Sequence, residues 1–365
     1  MPSVAIIGTR GYPSYYGGFE TLVRHLAPYL ADHDWDVTVY GRRASVKSTD
    51  SAKDARVGTV TTFGVDSKTW STLSYGLSSS LDAALRVRPD VALVMNVANG
   101  FFLPLMSTLN IPTVVNVDGV EWERAKWGWS ARQVFRAGAK MTALFATHLV
   151  FDAHAIKVRW NEEFHRTGSY VPYGADIVGD LPVEPGLAHR SYILYVARFV
   201  PENTFDEFLT ATRVLAQRWP VVIVGSSGYG GPADARVAAI AREHANVHWL
   251  GHIADDQRLF SLWQHAGAYF HGHSVGGTNP ALVQAMACGA PVVARDTVFN
   301  REVIGSSGLF VSPDARVIAQ ALSELLTDPC QQARYSDIGV QRVIKHYSWQ
   351  SVNEAYKAVL DHSLA

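Results

Sequence analysis

Two α/β domains, each a parallel sheet wound with helices and facing the other across a cleft, are what this sequence predicts. Short β-branched runs alternate with longer helical patterns in two series, which is the signature of parallel βαβ units. An irregular stretch over 170–190 with three prolines and three glycines separates the series. The length of 365 residues also exceeds what one core usually holds.

Taken in order, "SVAIIG", "DVTVYG", "VGTVTTFG", "VALVMN" and "PTVVNVDG" supply strands of the first series. "YILYVAR", "VVIVG", "NVHWLG", "AYFHG" and "PVVAR" supply those of the second. The predicted domains cover 1–175 and 176–345. A closing segment over 346–365, with Val352, Tyr356 and Val359 at helical steps, is expected to return to the first domain. In such sheets ligands meet the loops that follow strand carboxyl ends.

The first strand leads to "GTRGYPSYYGGFETLVRHL". Gly8 and Gly11 lack the spaced glycines of a dinucleotide site, whereas Gly17 and Gly18 precede a helix from Phe19 to Leu30 whose N–H end faces the predicted cleft. Later, "NVDGVEWERAKWGW" places Asp118 and Glu121 three apart at a strand exit, suited to hydroxyl binding or proton handling. The structural alternative has Asp118 as a cap and Glu121 paired with Arg124.

In the second domain Arg198 ends a strand, where its rigid fork suits phosphate oxygens; a buried salt bridge is the rival role. "HGHSVGGTNPALVQAMACGAPVVARD" has a complete helix grammar. Thr278 or Asn279 caps, Pro280 opens and Gly289 stops a helix, while Gly276 and Gly277 let an anion approach its N-terminus. An ordinary βα turn would read the same way. His271 and His273 share a face of their strand, which favours a structural or substrate-contact role over metal binding.

A net charge of −1 gives no support for nucleic-acid binding. Two cysteines, Cys288 and Cys330, are too few for a disulfide scaffold and indicate a reducing compartment. "MPSVAIIG" reads as a strand and not as a secretory signal, and no apolar run is long enough to span a bilayer, so a cytoplasmic location is expected. Between Trp122 and Lys140, five basic residues face one acid among interleaved aromatics. Arg132, Arg136 and Lys140 recur every four residues, a stripe that is either a solvated face or a peripheral contact with the inner face of an anionic membrane. There is no His-Glu-x-x-His and no P-loop lysine motif.

The ordered set "GTRGYPSYYGGFETLVRHLA", "NVDGVEWERAKW", "VPYGAD", "YVARFVPEN", "GHSVGGTNPALVQAMACGAPVVARD" and "FNREV" resembles the retaining glycosyltransferase family 4 enzymes of GT-B fold, and among them a bacterial rhamnosyltransferase-like subgroup. The resemblance spans nearly the whole chain. It implies transfer of a sugar from a nucleotide diphosphate donor to a hydroxyl, without cofactor or metal, the donor mainly on the C-terminal domain and the acceptor mainly on the N-terminal one. Arg10, Tyr16, Trp122 and Arg124 are then acceptor-side candidates. The family's arginine and lysine phosphate pair falls on Arg198 and Asn203, so one cation is missing, for which Arg10 or Arg301 are substitutes. Its two glutamates fall on Gly276 and Gln284, which assigns Gln284 to the nucleoside. A histidine of its N-terminal half is replaced, leaving Asp118 or Glu121 to serve. The implied donor is dTDP-L-rhamnose, with UDP- and GDP-sugars as alternatives, and the acceptor a glycan or polyprenyl-diphosphate-linked lipid of cell-surface polysaccharide assembly. A nucleotide-sugar-binding protein with reduced catalysis, or an epimerase, are the competing functions.

Overall fold

In the computed structural model, residues 1–14, 17–42, 53–65, 71–124, 127–228 and 230–364 are described. They form two compact units, Met1–Tyr173 with Trp349–Ala365, and Gly174–Ser348.

The first unit holds seven parallel strands: β1 (Ser3–Ile7), β2 (Asp36–Arg42), β3 (Gly58–Thr62), β4 (Val91–Met95), β5 (Thr113–Asn116), β6 (His148–Phe151) and β7 (Ser169–Tyr170). Their order is β3-β2-β1-β4-β5-β6-β7. The chain thus builds outward from β1 to one edge and returns through β4 to the other side. β4 is buried at every position, as a strand covered on both faces must be. The helix Gly18–Asp32 packs Leu22, Val23, Leu26 and Leu30 into the core beneath this sheet. The final helix, Trp349–Leu364, joins the same core through Val352, Tyr356 and Leu360. There the Tyr356 hydroxyl accepts from Asn116 Nδ2 at 2.6 Å, and Trp349 stacks on His25 with centroids 4.1 Å apart.

The second unit holds β8 (Ile193–Val196), β9 (Val221–Val224), β10 (Val247–Gly251), β11 (Ala268–His271), β12 (Val292–Arg295) and β13 (Gly308–Val311) in the parallel order β10-β9-β8-β11-β12-β13. Its winding reverses between the adjacent strands β8 and β11. At such a reversal the two following loops diverge to opposite faces and leave a crevice at the carboxyl ends. Tyr195 and Phe270, on these two strands, stack with Phe208 in the core of this unit.

The sequence reading lacks β6, β7 and β13. β6 is embedded in the apolar run "MTALFATHLVF", where the helix Trp129–Phe145 gives way to the strand with Ala146 and Thr147 between them. β7 has only two residues, too few for alternation to register.

Candidate active site

Three loops of the second unit are stitched together at the β8–β11 reversal. After β8 the chain turns tightly, Val200 N–H and Asn203 Nδ2 both donating to the Arg198 carbonyl, at 2.9 and 2.8 Å. Arg198 itself is exposed. Asn203 is buried, and its Oδ1 meets His273 Nδ1 at 2.6 Å. The Tyr195 hydroxyl donates to the Asn203 carbonyl at 3.0 Å, and Thr204 Oγ1 to the Gly272 carbonyl at 2.6 Å. Asn300 Nδ2 donates to the carbonyls of His273 and Arg295, tying in the loop after β12.

Gly272 makes this arrangement sterically feasible. A Cβ there would overlap the Asn203 carbonyl and stand 2.9 Å from Thr204 Cβ. The loop after β11 continues through Gly276, at φ +90°, and Gly277 to the helix Pro280–Ala287. Asn279 caps that helix, its Oδ1 accepting from Ala281 N–H at 3.0 Å, and Thr278 is buried beside it. The caps expected from the sequence are thus in place. Asn279's side-chain oxygen is engaged by the helix cap.

Several assigned residues have other work. Asn203 was matched to a phosphate-binding lysine, but its amide is engaged at both ends, which makes it a brace between Arg198 and His273. Gln284 was assigned to the nucleoside. Instead its Oε1 accepts from Asp176 N–H at 2.9 Å and its Nε2 donates to the Asp176 carbonyl at 2.8 Å. A carboxylate could make only the first of these bonds, which gives a physical reason for glutamine here. Arg301, offered as the compensating cation, is an exposed fork on Asp296, with contacts of 2.6 and 2.7 Å. Arg295, at the end of β12, holds Thr204 Oγ1 at 3.2 Å and went unrecognised, although it follows a strand just as Arg198 does.

Two further residues carry sequence signals that the structure resolves. "GHSVG", Gly272–Gly276, matches the Gly-x-Ser-x-Gly of a nucleophile elbow. Ser274 nevertheless donates its hydroxyl to the Glu202 carbonyl at 2.9 Å, and the helix begins only at Pro280, so the strained strand-to-helix elbow is absent. His271 is buried with Nδ1 3.0 Å from the Tyr269 hydroxyl. Burial, with a smaller contribution from His273, pushes its pKa down to about 3, so it is neutral near pH 7. Among the described residues no group of three metal-ligating side chains gathers.

In the first unit, Gly8 at φ +94° lets the β1 exit approach β4, since a Cβ would come within 2.5 Å of the Met95 carbonyl oxygen. Past it, Arg10 N–H donates to Glu20 Oε1 at 3.0 Å. Glu20 is a buried carboxylate in the first turn of the helix behind Gly17 and Gly18. It already complements the helix dipole, and a diphosphate there would meet like charge. Gly17 and Gly18 are therefore reassigned as the turn that seats Glu20.

Asp118 follows β5 at φ +58°, a backbone conformation uncommon for a non-glycine residue. Its N–H donates to Asn116 Oδ1 at 2.9 Å. Burial raises the pKa of the nearby Tyr173 strongly, with the charges of Asp118 and Asp152 adding to it. Glu121 realises the structural alternative: it is buried, paired with Arg124, and accepts from Trp127 Nε1 at 2.8 Å. Trp122 is a core residue, edge-on to Trp160 and Phe164 at 6.1 and 5.8 Å. As acceptor contacts, Glu121, Trp122 and Arg124 are thus corrected to packing and pairing roles. Tyr16 lies outside the described residues.

The basic stripe is only partly available. Arg132 Nε donates to the Trp127 carbonyl at 3.0 Å, Arg136 pairs with Glu163 at 3.0 Å, and Lys140 is exposed. Among the described residues no helix is long and apolar enough to cross a membrane.

Residues 190–328, which carry the whole β8–β11 crevice, match the family described as glycosyl transferases group 1. The match lies within the second unit. A curated relative, O-antigen chain mannosyltransferase B of Escherichia coli, is 23% identical over 172 residues, covering 45% of this chain and 44% of its own. The chain spans about half the length of the first curated relatives it matches. Among solved structures, the sucrose-phosphate synthase of Thermosynechococcus elongatus superposes with a TM-score of 0.80 at 18% identity over 99% of both chains. Anabaena HepE in complex with UDP-glucose gives 0.77 at 14% identity over 99% of this chain and 100% of its own. These likenesses establish the GT-B type of fold, two parallel α/β domains.

Proposed function

We propose that the protein is a retaining glycosyltransferase that holds a nucleoside diphosphate sugar in the β8–β11 crevice of its second unit and passes the sugar to a hydroxyl acceptor. The observation that supports this reading is that the loop carrying the exposed Arg198 and the loop carrying the Gly276–Gly277 turn and a capped helix start follow the two strands at a topological reversal. A guanidinium fork and a helix N-terminus are the kinds of group that bind a diphosphate. The family match over the same residues supports it, as does a neighbour of the same fold that carries UDP-glucose.

In the proposed reaction the acceptor oxygen bonds to the anomeric carbon on the face from which the diphosphate departs. The bond from that carbon to the phosphate oxygen breaks with its electron pair, and the released diphosphate takes the acceptor's proton. The cradle stabilises the charge that develops there. dTDP-L-rhamnose and GDP-mannose are the donors to try first, the second because a relative is named a mannosyltransferase. Incubating the protein with radiolabelled UDP-, GDP- and dTDP-sugars and polyprenyl-diphosphate-linked acceptors should give transfer from one donor class. Tight donor binding with neither transfer nor hydrolysis would favour a nucleotide-sugar-binding protein, and isomerisation without acceptor an epimerase.

The acceptor proposed is lipid-linked, and the helix Trp129–Phe145 is the element proposed to meet the membrane. Trp129 and Leu144 are 78% and 72% exposed and, with Gln133 and Lys140, share one helix face at four-, seven- and four-residue steps. Flotation with phosphatidylglycerol–phosphatidylcholine vesicles should show binding that falls about fivefold, ~1 kcal/mol, in the Trp129→Ser/Leu144→Ser double variant. Equal flotation of both proteins would leave this face simply solvated.

A further inference from the structure

Four exposed arginines of the second unit are each neutralised by an acid: Arg213 by Glu243, Arg236 by Asp206, Arg258 by Glu184 and Arg301 by Asp296. Arg295 is half-buried, and among the described residues no carboxylate pairs with it. It ends β12, one residue past the register pair of Ala294 with His271 on β11. Its Nη1 donates to Thr204 Oγ1 at 3.2 Å, while the hydrogen of that hydroxyl goes to the Gly272 carbonyl at 2.6 Å. The guanidinium therefore reaches the point where the loops after β8 and β11 touch. Its backbone is tied to the same place, since Asn300 Nδ2 donates to the carbonyls of both Arg295 and His273.

This is an unfavourable place for a charge that serves only the fold. Thr204 is the residue before the helix Phe205–Leu215, so the guanidinium sits at the positive end of a helix dipole. Of the acids in that first turn, Asp206 pairs with Arg236, and Glu207 makes no ion pair with Arg295. Holding Thr204 needs one neutral N–H donor. A permanent charge there, partly withdrawn from water and without a counter-charge, is a cost that a bound anion removes.

We propose that Arg295 is a second cation of the donor site beside Arg198, its remaining N–H groups donating to the diphosphate of the nucleotide sugar. The inference rests on the reading of the crevice as a diphosphate site. Each phosphate of such a diester keeps a negative charge, so two guanidinium groups match it where one does not. During transfer Arg295 keeps its proton. The bond from the anomeric carbon to the phosphate oxygen breaks with its electron pair, the acceptor's proton goes to the released diphosphate, and the guanidinium offsets the charge that appears on the leaving oxygen.

The test compares a nucleoside diphosphate with its own nucleoside on the intact protein. Of UDP, GDP and dTDP, the probe is whichever binds wild type most tightly by calorimetry, and the matching nucleoside is measured by competition against it. Arg295→Gln retains an N–H donor for Thr204 and removes the charge. It should weaken the nucleoside diphosphate roughly tenfold, the value of one charge-assisted contact, and leave the nucleoside unchanged. Arg295→Lys should recover part of that loss. Arg295→Met, which keeps an apolar stem in the same space, should show the same selective loss and carries the test if the glutamine variant does not fold. Equal weakening of nucleoside diphosphate and nucleoside is what a mere prop for Thr204 would give, and it overturns the proposal. So does wild-type affinity in the neutral variants, or a lysine variant no better than glutamine. Failure of wild type to bind all three nucleoside diphosphates would instead overturn the diphosphate reading beneath it.

Discussion

Arg198→Ala is expected to reduce kcat/KM for sugar transfer about 30-fold, ~2 kcal/mol, while leaving the melting temperature of the unliganded protein unchanged. The split follows from where the arginine is anchored. The turn that carries it is held by its own carbonyl, through Val200 N–H and Asn203 Nδ2, and not by its guanidinium. Removing an exposed side chain therefore leaves the backbone hydrogen bonds of the turn in place. Arg198→Lys should recover part of the loss, because a point charge keeps the attraction to phosphate but not the two-pronged fork of a guanidinium. Steady-state kinetics with the cognate donor, beside thermal melts of the same preparations, measure both. Wild-type kinetics in Arg198→Ala would remove this residue from the site.

The fold was legible because its signals are local. Runs such as "VALVM" and "VVIV" are buried on both faces, and a strand in that position has to be continuously apolar. The start of the helix Pro280–Ala287 was legible for the same reason: cap, first-position proline and stopping glycine all lie within a few residues of the element they punctuate. Strands that escaped notice were those whose pattern is too short or too blended with a neighbouring helix, as β6 and β7 are.

Side-chain roles were harder to read, since a polar residue's job is set by a partner far away in sequence. The resemblance assigns Gln284 to the nucleoside, whereas the Asp176 backbone occupies both of its polar atoms. Arg124 and Glu121, three residues apart, offered a legible alternative, and the structure realises it with Trp127 as the third member. Glu20 is the instructive miss. "GGFET" reads as a glycine turn before an anion-binding helix, yet the acid in its first turn supplies that anion from within the chain. An acidic residue so placed is itself a sequence signal against an external phosphate.

Gly272→Ala should damage the second unit strongly. The added carbon overlaps the Asn203 carbonyl, and what it strikes is backbone, which has no rotamer to move to. Relief requires the loop after β8 to lift away from β11. That motion breaks the bonds from Tyr195 to the Asn203 carbonyl and from Thr204 to the Gly272 carbonyl, and it pulls Asn203 from His273. Overpacking of this kind costs about 2 kcal/mol in stability. Displacement of the loop that carries Arg198 should lower donor affinity by at least roughly tenfold, the loss of one charged contact. Gly179→Ala is the matched control, because a Cβ there meets nothing within 4 Å. Chemical denaturation and donor titration on the two variants separate the effects. If Gly272→Ala matched Gly179→Ala in both, the crevice would not depend on the close approach of these two loops, and the role proposed for Arg198 would lose its support.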